Sequence, residues 1–358
     1  MPALKSIPAS RILSRRRFLA AAAATTAAAV VGLPAVHAAD KSDNRKPVLG
    51  TGAHTYEATH NWGTLPPHIH WGDTHGVVFD AAGLIYFTHQ SAAQEPMDAI
   101  AVFDKTGRFI RSFGKQFHGG GHGLAIRKEG KEQFLYLCDI KNRQVAKLSL
   151  DGHVVWSRGV PEEAGVYNQG KPYVPTNVAF APDGGFYVGD GYGSSFVHQY
   201  DQHAKWVRTW GGQGNAAGKL NCPHGLWWDD RPGRTPSLVV ADRANSRLQY
   251  FTPDGKHVSF TAGLPHPCYF SIRGETLLVP DLHARVSLLD KENKPIVHLG
   301  YDEAWTQRVL KEGLRNKPQA WQPGRFVHPH HAAFDPEGNI YVVEWVPIGR
   351  ITLLRHVA

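Results

Sequence analysis

Histidine recurs at a matching position in five of six similar segments of the chain. Imidazole is a preferred ligand of zinc, and catalytic zinc sites often use three histidines and leave a fourth position for water or substrate. A fold that gathers alternate segments would therefore assemble such a site. The six positions, in chain order, are His75, His122, Asn177, His224, His266 and His330.

Each segment reads as apolar strands joined by tight turns. The third segment shows this most clearly, with strands over residues 176–180, 185–190, 196–200 and 206–210 and a Pro182-Asp183-Gly184 turn. Short alternating strands with Asp-Gly turns predict β-structure. The six positions lie 42 to 64 residues apart, which is the spacing of propeller blades. The sequence thus predicts an all-β fold, a single six-bladed β-propeller over residues 39–358.

A ring of six blades places alternate blades about 120° apart, so His122, His224 and His330 are expected to converge on one metal ion, preferably zinc. The set from the odd blades includes the amide of Asn177, which is a weak zinc ligand. We therefore expect His75 and His266 to lie outside the metal cluster. The alternative is that the histidines only hydrogen-bond across the channel mouth.

A second ring of polar residues follows the second strand of each blade. We interpret most of these carboxylates as structural acceptors for backbone amides in turns. Their neighbours are more varied, and Tyr192 and Arg243 are our candidate catalytic residues. A phenol near a metal can act as a base, and a guanidinium can hold a carboxylate through two hydrogen bonds. The carboxylates are Asp139, Asp190, Asp242, Asp281 and Glu344.

The last blade lacks one strand, which the N-terminal part of the chain could supply. The last blade shows three clear strands before the chain ends at Ala358, and residues 55–63 resemble the outer strands of other blades. We expect this N-terminal strand to complete the last blade, which would protect exposed sheet edges. The extra residues 303–325 predict one short helix and a loop over a face.

Residues 1–38 are expected to be a twin-arginine signal peptide. Arg15-Arg16-Arg17 precedes an Ala-rich apolar run that ends near a plausible cleavage site at Ala38. This predicts a periplasmic or secreted protein without a membrane span after cleavage; an uncleaved anchor is the alternative.

Charge and cysteine content exclude several classes of protein. The net charge of +8 includes five positive residues in the first 38, so the rest of the chain carries +3 without a basic cluster. We predict no nucleic-acid binding, and we expect a monomer. The three cysteines lack the CxxC spacing of zinc-thiolate sites. One disulfide is compatible with export, but we expect mostly buried thiols at Cys138, Cys222 and Cys268.

The repeats resemble NHL-repeat six-bladed propellers, and residues 174–251 resemble the peptidyl-α-hydroxyglycine α-amidating lyase (peptidylamidoglycolate lyase) family. The motifs concerned are Pro175-Thr176-Asn177-Val178-Ala179, Asp190-Gly191-Tyr192, Pro223-His224-Gly225-Leu226 and Val240-Ala241-Asp242-Arg243-Ala244-Asn245-Ser246-Arg247. The resemblance implies zinc on the same three histidines of blades 2, 4 and 6. It also implies a catalytic tyrosine at Tyr192 and an active-site arginine at Arg243.

The resemblance is incomplete at three positions. Gln90 follows His89 where the family has a second active-site arginine, which puts recognition of the family's substrate in doubt. His331 stands where the family has an aspartate that binds structural calcium, and Gly193 stands where it has a disulfide cysteine. The zinc site is thus the best-preserved feature, and a calcium site is poorly supported.

Three functions fit these features. The first is a zinc-dependent lyase that cleaves an α-hydroxyglycine, as a small molecule or in a peptide, to an amide and glyoxylate. Its substrate would be anionic. The second is a metal-dependent hydrolase such as a lactonase, although those propellers usually bind metal with carboxylates and asparagine. The third is a non-catalytic propeller that binds protein or glycan.

Overall fold

The computed structural model describes residues 46–357, so the expected signal peptide lies outside the described residues. Six small antiparallel sheets make up the described chain, and they form the six blades of a β-propeller. This is the predicted fold class. Within these residues no helix is long and apolar enough to cross a membrane.

Five blades are meanders of four strands that follow one another along the chain. Blade 1 follows two N-terminal strands, β1 (Val48–Thr51) and β2 (His54–His60). The strands of blade 1 are β3 (Asp73–Phe79), β4 (Ile85–Gln90), β5 (Ile100–Phe103) and β6 (Phe109–Phe113). Those of blade 2 are β7 (Gly121–Glu129), β8 (Glu132–Asp139), β9 (Gln144–Ser149) and β10 (Val154–Arg158). Those of blade 3 are β11 (Asn177–Phe180), β12 (Phe186–Gly189), β13 (Phe196–Tyr200) and β14 (Trp206–Gly211).

The same order continues through the second half of the ring. Blade 4 contains β15 (Pro223–Asp229), β16 (Ser237–Asp242), β17 (Arg247–Phe251) and β18 (His257–Thr261). Blade 5 contains β19 (Ser271–Arg273), β20 (Thr276–Asp281), β21 (Arg285–Leu289) and β22 (Pro295–Leu299). The C-terminal strands are β23 (Pro329–Phe334), β24 (Ile340–Glu344) and β25 (Arg350–His356). The strands predicted for blade 3 agree with the structure to within about one residue.

The sixth blade combines strands from both ends of the described chain. Its order is β1-β2-β25-β24-β23, and β2 pairs antiparallel with β25, with Ala58 opposite Leu354. Tyr56 and Ala58 of β2 are 2% exposed and pack with residues of blades 5 and 6. Burial of a large side chain such as that of Tyr56 contributes about 1.5–3 kcal/mol, and that of Ala58 contributes less. The strand therefore belongs to the core and is not a loose tail.

The core lies between neighbouring blades. One cluster, for example, joins Tyr187 and Val197 of blade 3 with Leu226, Val240 and Phe251 of blade 4. Alternate residues of each central strand face opposite neighbours, as the period of two requires. The innermost strands contact one another around the axis, so their first residues meet at one mouth of the channel.

The helix expected between residues 303 and 325 is α1 (Glu303–Glu312). It begins at Asp302, whose side chain accepts a hydrogen bond from the amide of Trp305 at 2.8 Å, and it ends at Gly313 in the left-handed conformation (φ 63°). The following loop reaches blade 1, where Arg315 bonds both carboxylate oxygens of Asp73 at 2.6 and 2.7 Å.

Candidate metal centre and active site

Four histidines meet at one mouth of the channel. The rings of His122, His224 and His330 have centroids 4.7 to 5.0 Å apart. His75 lies beside two of them, with centroids 4.6 Å from His122 and 4.4 Å from His330. All four side chains are at most 3% exposed.

The three histidines of the even blades share one hydrogen-bond pattern. The Nδ1 atom of each faces a backbone carbonyl of the next blade: His122 to Thr176 at 2.9 Å, His224 to Cys268 at 2.9 Å, and His330 to His75 at 3.0 Å. A carbonyl can only accept, so Nδ1 carries the proton and Nε2 keeps its lone pair. Metal-binding histidines characteristically donate their other ring N–H in this way.

The glycine after two of these histidines explains why the carbonyl can come so close. A Cβ atom on Gly123 would lie 2.2 Å from the Thr176 oxygen, and one on Gly225 would lie 2.3 Å from the Cys268 oxygen. These are the same oxygens that accept from His122 and His224. The His-Gly pair therefore brings the neighbouring blade near enough to orient the imidazole.

The carboxylate ring holds the segments that lead into the histidines. Asp242 accepts from the amide of Asn221 at 2.7 Å, and Glu344 accepts from the amides of Val327 and His328. Arg247 and Arg350 bond these two carboxylates from within the same blades. The structural role predicted for this ring is confirmed, because the carboxylates bond backbone amides and do not face the channel centre as metal ligands.

The position of His75 contradicts one prediction from the sequence. The set of ligand nitrogens that lie within 4.8 Å of one another belongs to His75, His122 and His330, whereas we expected His75 to stay outside the cluster. Its Nδ1 lies 3.2 Å from Nε2 of His330, and its buried Nε2 has no partner among the described residues. The cluster thus has four members, but among the described residues the predicted set of His122, His224 and His330 does not meet this distance.

His266 lies outside the cluster, as expected, and its ring stacks on His283 at 5.2 Å. The assumed repeat register is wrong here. Pro267 pairs with Asp281 as Pro223 pairs with Asp242, so the residue equivalent to His224 is Cys268.

Blade 3 needs a similar correction. Its carbonyl acceptor for His122 is Thr176, while His75 and Cys268 supply the other two acceptors. In the odd blades, the residues equivalent to the three even-blade histidines are therefore His75, Thr176 and Cys268. The sequence prediction chose Asn177 and His266 instead, because proline residues before these strands made them look equivalent.

Burial keeps the histidine cluster neutral. It lowers the pKa of His122 from 6.5 to about 3, and it lowers the pKa of His75, His224 and His330 well below 6.5. The charge of nearby Arg243 adds to this effect. Neutral imidazole is the form that binds metal. The donor set of neutral imidazoles therefore suits a metal ion such as zinc, which takes histidine nitrogens in tetrahedral sites with an open position.

Tyr192 and Arg243 lie beside the cluster, where the sequence predicted them. The Tyr192 hydroxyl is 3.2 Å from Nε2 of His122 and 3.0 Å from Nε2 of His224. Nη1 of Arg243 lies 3.4 Å from the same hydroxyl, and Arg243 is 9% exposed. The residue as a whole is 37% exposed, but its hydroxyl faces the buried histidines, and this desolvation raises the pKa of Tyr192 to about 12. The phenol is therefore protonated at neutral pH and faces the nitrogens that would hold a metal.

Sequence reasoning missed two contributors to this mouth. His89 occupies the carboxylate position of blade 1, where its Nδ1 accepts from the amide of Gly72 at 3.1 Å. Tyr167 donates to Asp190 at 2.9 Å and contacts Nε2 of His198 at 2.6 Å. These contacts attach the loop that contains Tyr167 to the backbone segment that leads to Tyr192. A residue-by-residue alignment of the six units would have placed His89; the loop with Tyr167 has no counterpart in the repeat.

Comparison with known proteins supports a likeness to the amidating enzymes. The chain is 31% identical over 270 residues to the peptidylglycine alpha-amidating monooxygenase of Rattus norvegicus, a match that covers 72% of this chain and 26% of the rat protein. It is 25% identical over 304 residues to peptidyl-alpha-hydroxyglycine alpha-amidating lyase 1 of Drosophila melanogaster, covering 78% and 52%. The chain thus spans about a quarter and a half of these two relatives. No protein-family profile matches it.

The chain is a six-bladed propeller that resembles the amidating lyases. An NHL repeat-containing protein of Mus musculus is 27% identical over 233 residues, covering 61% of this chain and 65% of that protein. Among solved structures, virginiamycin B lyase of Staphylococcus aureus has a TM-score of 0.53 at 10% identity, covering 84% of this chain and all of that one. A gluconolactonase of Xanthomonas campestris has a TM-score of 0.56 at 14% identity, covering 87% and 96%. These two structures share the fold.

This lyase-like propeller departs from the family pattern in ways that the packing explains. A Cβ atom on Gly193 would lie 1.9 Å from Oδ1 of Asp190, so the cysteine of the family would not fit without a shift. The three cysteines are free, with Cys138 and Cys268 buried and Cys222 half-buried. His331 is buried, and its Nδ1 accepts from the amide of Val77 at 3.1 Å. It therefore offers no carboxylate for calcium.

Proposed function

We propose that this protein is an exported zinc-dependent lyase that cleaves α-hydroxyglycine compounds to an amide and glyoxylate. The observation that carries the proposal is the array of inward-facing Nε2 atoms on His122, His224 and His330, with the Tyr192 hydroxyl within hydrogen-bond distance of two of them. The likeness to the amidating lyases supports the choice of reaction.

The histidines of the even blades would hold the metal. Their Nδ1–H groups donate to fixed backbone carbonyls, so the imidazoles cannot turn their lone pairs away without losing a hydrogen bond. Zinc would supply a Lewis acid that lowers the pKa of a hydroxyl group bound near it. The carbonyl partners belong to three different blades, so the rigidity of the whole ring sets the spacing of the ligands.

Tyr192 would move the proton that the reaction requires. Cleavage removes a proton from the substrate hydroxyl, breaks the bond between carbon and amide nitrogen as the carbonyl of glyoxylate forms, and returns a proton to that nitrogen. A protonated phenol can do both as a relay: it donates its own proton to the leaving nitrogen and takes up the proton of the substrate hydroxyl, so it ends in the form in which it began. At rest it is protonated, since burial raises its pKa to about 12, and the neighbouring Arg243 charge opposes that rise.

Arg243 would hold the carboxylate that becomes part of glyoxylate. Its guanidinium is nearly buried beside the Tyr192 ring, with 5.1 Å from Cζ to the ring centroid. Guanidinium groups bind carboxylates through two parallel hydrogen bonds. Gln90 stands where the lyases have a second arginine, so the amide part of the substrate is expected to be recognised differently here.

The experiment is glyoxylate release from an N-acyl-α-hydroxyglycine by purified, zinc-loaded protein. We expect turnover that disappears on chelation and returns with zinc. Arg243→Lys keeps the charge but loses the paired hydrogen bonds, so KM for the carboxylate substrate should rise roughly tenfold while zinc content stays constant. A metal-loaded protein without glyoxylate release would reject the lyase reaction.

Export is proposed on the N-terminal sequence alone. Arg15-Arg16-Arg17 and the Ala-rich run that follows have the composition of a twin-arginine signal. N-terminal sequencing of protein recovered outside the cytoplasm should begin near Ala39. Replacement of Arg15, Arg16 and Arg17 by lysine should retain the protein inside the cell.

A further inference from the structure

The other end of the channel contains a cavity of about 390 Å³. It is lined by the far ends of all six innermost strands, or by residues directly beside them. The large side chains are mostly apolar and aromatic; one from each blade, in order, is Phe79, Ile126, Phe180, Trp228, Phe270 and Phe334. The volume falls within the range of small-molecule sites in proteins, which is about 300–1,000 Å³.

The lining does not suit a calcium ion. Calcium takes six to eight oxygen ligands, mainly from carboxylates and carbonyls. Among the described residues that line this cavity, the only carboxylate belongs to Asp230, which is exposed. His331, which stands in place of the calcium-binding aspartate of the amidating lyases, lines the cavity instead. A ligand at this end of the channel would therefore not be bound by ion pairs with the lining residues.

His331 gives the cavity one directed polar group. The side chain is 2% exposed, and its Nδ1 accepts from the amide of Val77 at 3.1 Å. A neutral imidazole with an acceptor at Nδ1 carries its proton on Nε2. None of the hydrogen bonds among residues 46–357 uses that Nε2–H. Because a ligand that fills the cavity without an acceptor would leave this donor unpaired and out of water, which is costly, a ligand that brings an acceptor to it is favoured.

Tyr269 supports this arrangement from the side. Its ring centroid lies 3.5 Å from that of His331, so the imidazole is held in one orientation. Its hydroxyl is 3.5 Å from the carbonyl of Leu124. His331 directly follows His330, so the polar group lies at the end of the cavity nearest the histidine cluster.

We propose that this cavity binds a small, neutral aromatic molecule with a single hydrogen-bond acceptor, such as an aryl ketone or aryl amide. The aromatic walls would enclose the ring, and the acceptor would receive the Nε2–H of His331. The site is separate from the proposed zinc centre and does not depend on it.

The test compares two ligands of nearly the same shape, acetophenone and α-methylstyrene, by isothermal titration and saturation-transfer NMR. The first has a carbonyl where the second has a methylene group. We expect acetophenone to bind at least roughly ten times more tightly, since only it pairs with the His331 donor. His331→Phe should keep an aromatic ring and abolish the difference between the ligands.

Two further variants separate this proposal from the metal site. Ala333 lines the cavity, so Ala333→Phe should fill it and abolish binding of both ligands. His224→Ala should leave acetophenone binding unchanged even if it removes zinc and glyoxylate release. Thermal melting checks that each variant is folded. If Ala333→Phe does not fold, the ratio of acetophenone to α-methylstyrene affinity in His331→Phe tests the proposal.

Three results would overturn the proposal. They are no acetophenone binding by the wild-type protein, equal binding of the two ligands, or release of bound acetophenone by calcium.

Discussion

The even and odd blades share one backbone frame but deliver different chemistry to the channel mouth. In blades 2, 4 and 6 a histidine donates through Nδ1 to the next blade and turns the lone pair of its Nε2 toward the channel mouth. In blades 1, 3 and 5 the equivalent residues, His75, Thr176 and Cys268, supply the accepting carbonyls. The odd blades therefore orient ligands more than they provide them, which a count of histidines cannot reveal.

Loss of an even-blade ligand should have the largest effect. His224→Ala should lower zinc affinity by at least roughly 100-fold, because ligand loss exceeds the 10- to 100-fold cost of losing an outer partner. The protein should stay folded, since the apolar blade interfaces remain. Zinc titration with a competing chelator measures the change. His266→Ala is the matched control and should bind zinc normally, because His266 stacks on His283 outside the cluster.

Removal of the Tyr192 hydroxyl should lower turnover without affecting metal binding. Tyr192→Phe keeps the ring and removes the group that faces His122 and His224, so kcat for glyoxylate release should fall roughly 10²–10⁴-fold. Zinc content and melting temperature should stay near the wild-type values. Full turnover by this variant would exclude Tyr192 as the proton carrier even with zinc in place.

The sequence predicted much of this fold and of this site because both depend on local signals. Apolar alternation and Asp-Gly turns determine the strands, and Tyr192 and Arg243 lie within three residues of the ends of second strands. The odd-blade register was wrong because it depends on which residue accepts from a neighbouring blade. That contact joins residues about 45 to 255 apart, such as His224 with Cys268 and His330 with His75, and it leaves no local pattern.

Acid should destabilise the metal-free protein. Burial lowers the pKa of His122 and of His198, which lies outside the cluster, from 6.5 to about 3. The unfolded chain therefore takes up protons first as the pH falls below 6.5, and stability is full above that value. Each such histidine should cost about 1.4 kcal/mol per pH unit between roughly 6 and 4. Urea unfolding across this range measures the slope.

Zinc should shift the pH of that acid unfolding transition only through its effect on the histidines of the cluster. Bound metal holds imidazole in its neutral form, so the zinc-loaded protein should retain stability to a lower pH than the metal-free protein. His198→Asn should reduce the acid slope equally with and without zinc, since that residue bonds Tyr167 and Thr209 instead. An acid transition unaffected by zinc would argue against metal binding by the cluster.

The smallest effect is expected for His75, and it decides between the two overlapping sets of three histidines. His75→Ala keeps the backbone carbonyl that accepts from Nδ1 of His330, so the even-blade ligands should stay oriented and zinc affinity should fall less than roughly tenfold. If zinc instead binds the set whose nitrogens lie within 4.8 Å, His75→Ala should be as damaging as His224→Ala. Comparison of the zinc affinities of His75→Ala and His224→Ala shows whether an odd blade contributes a metal ligand or only the carbonyl that orients one.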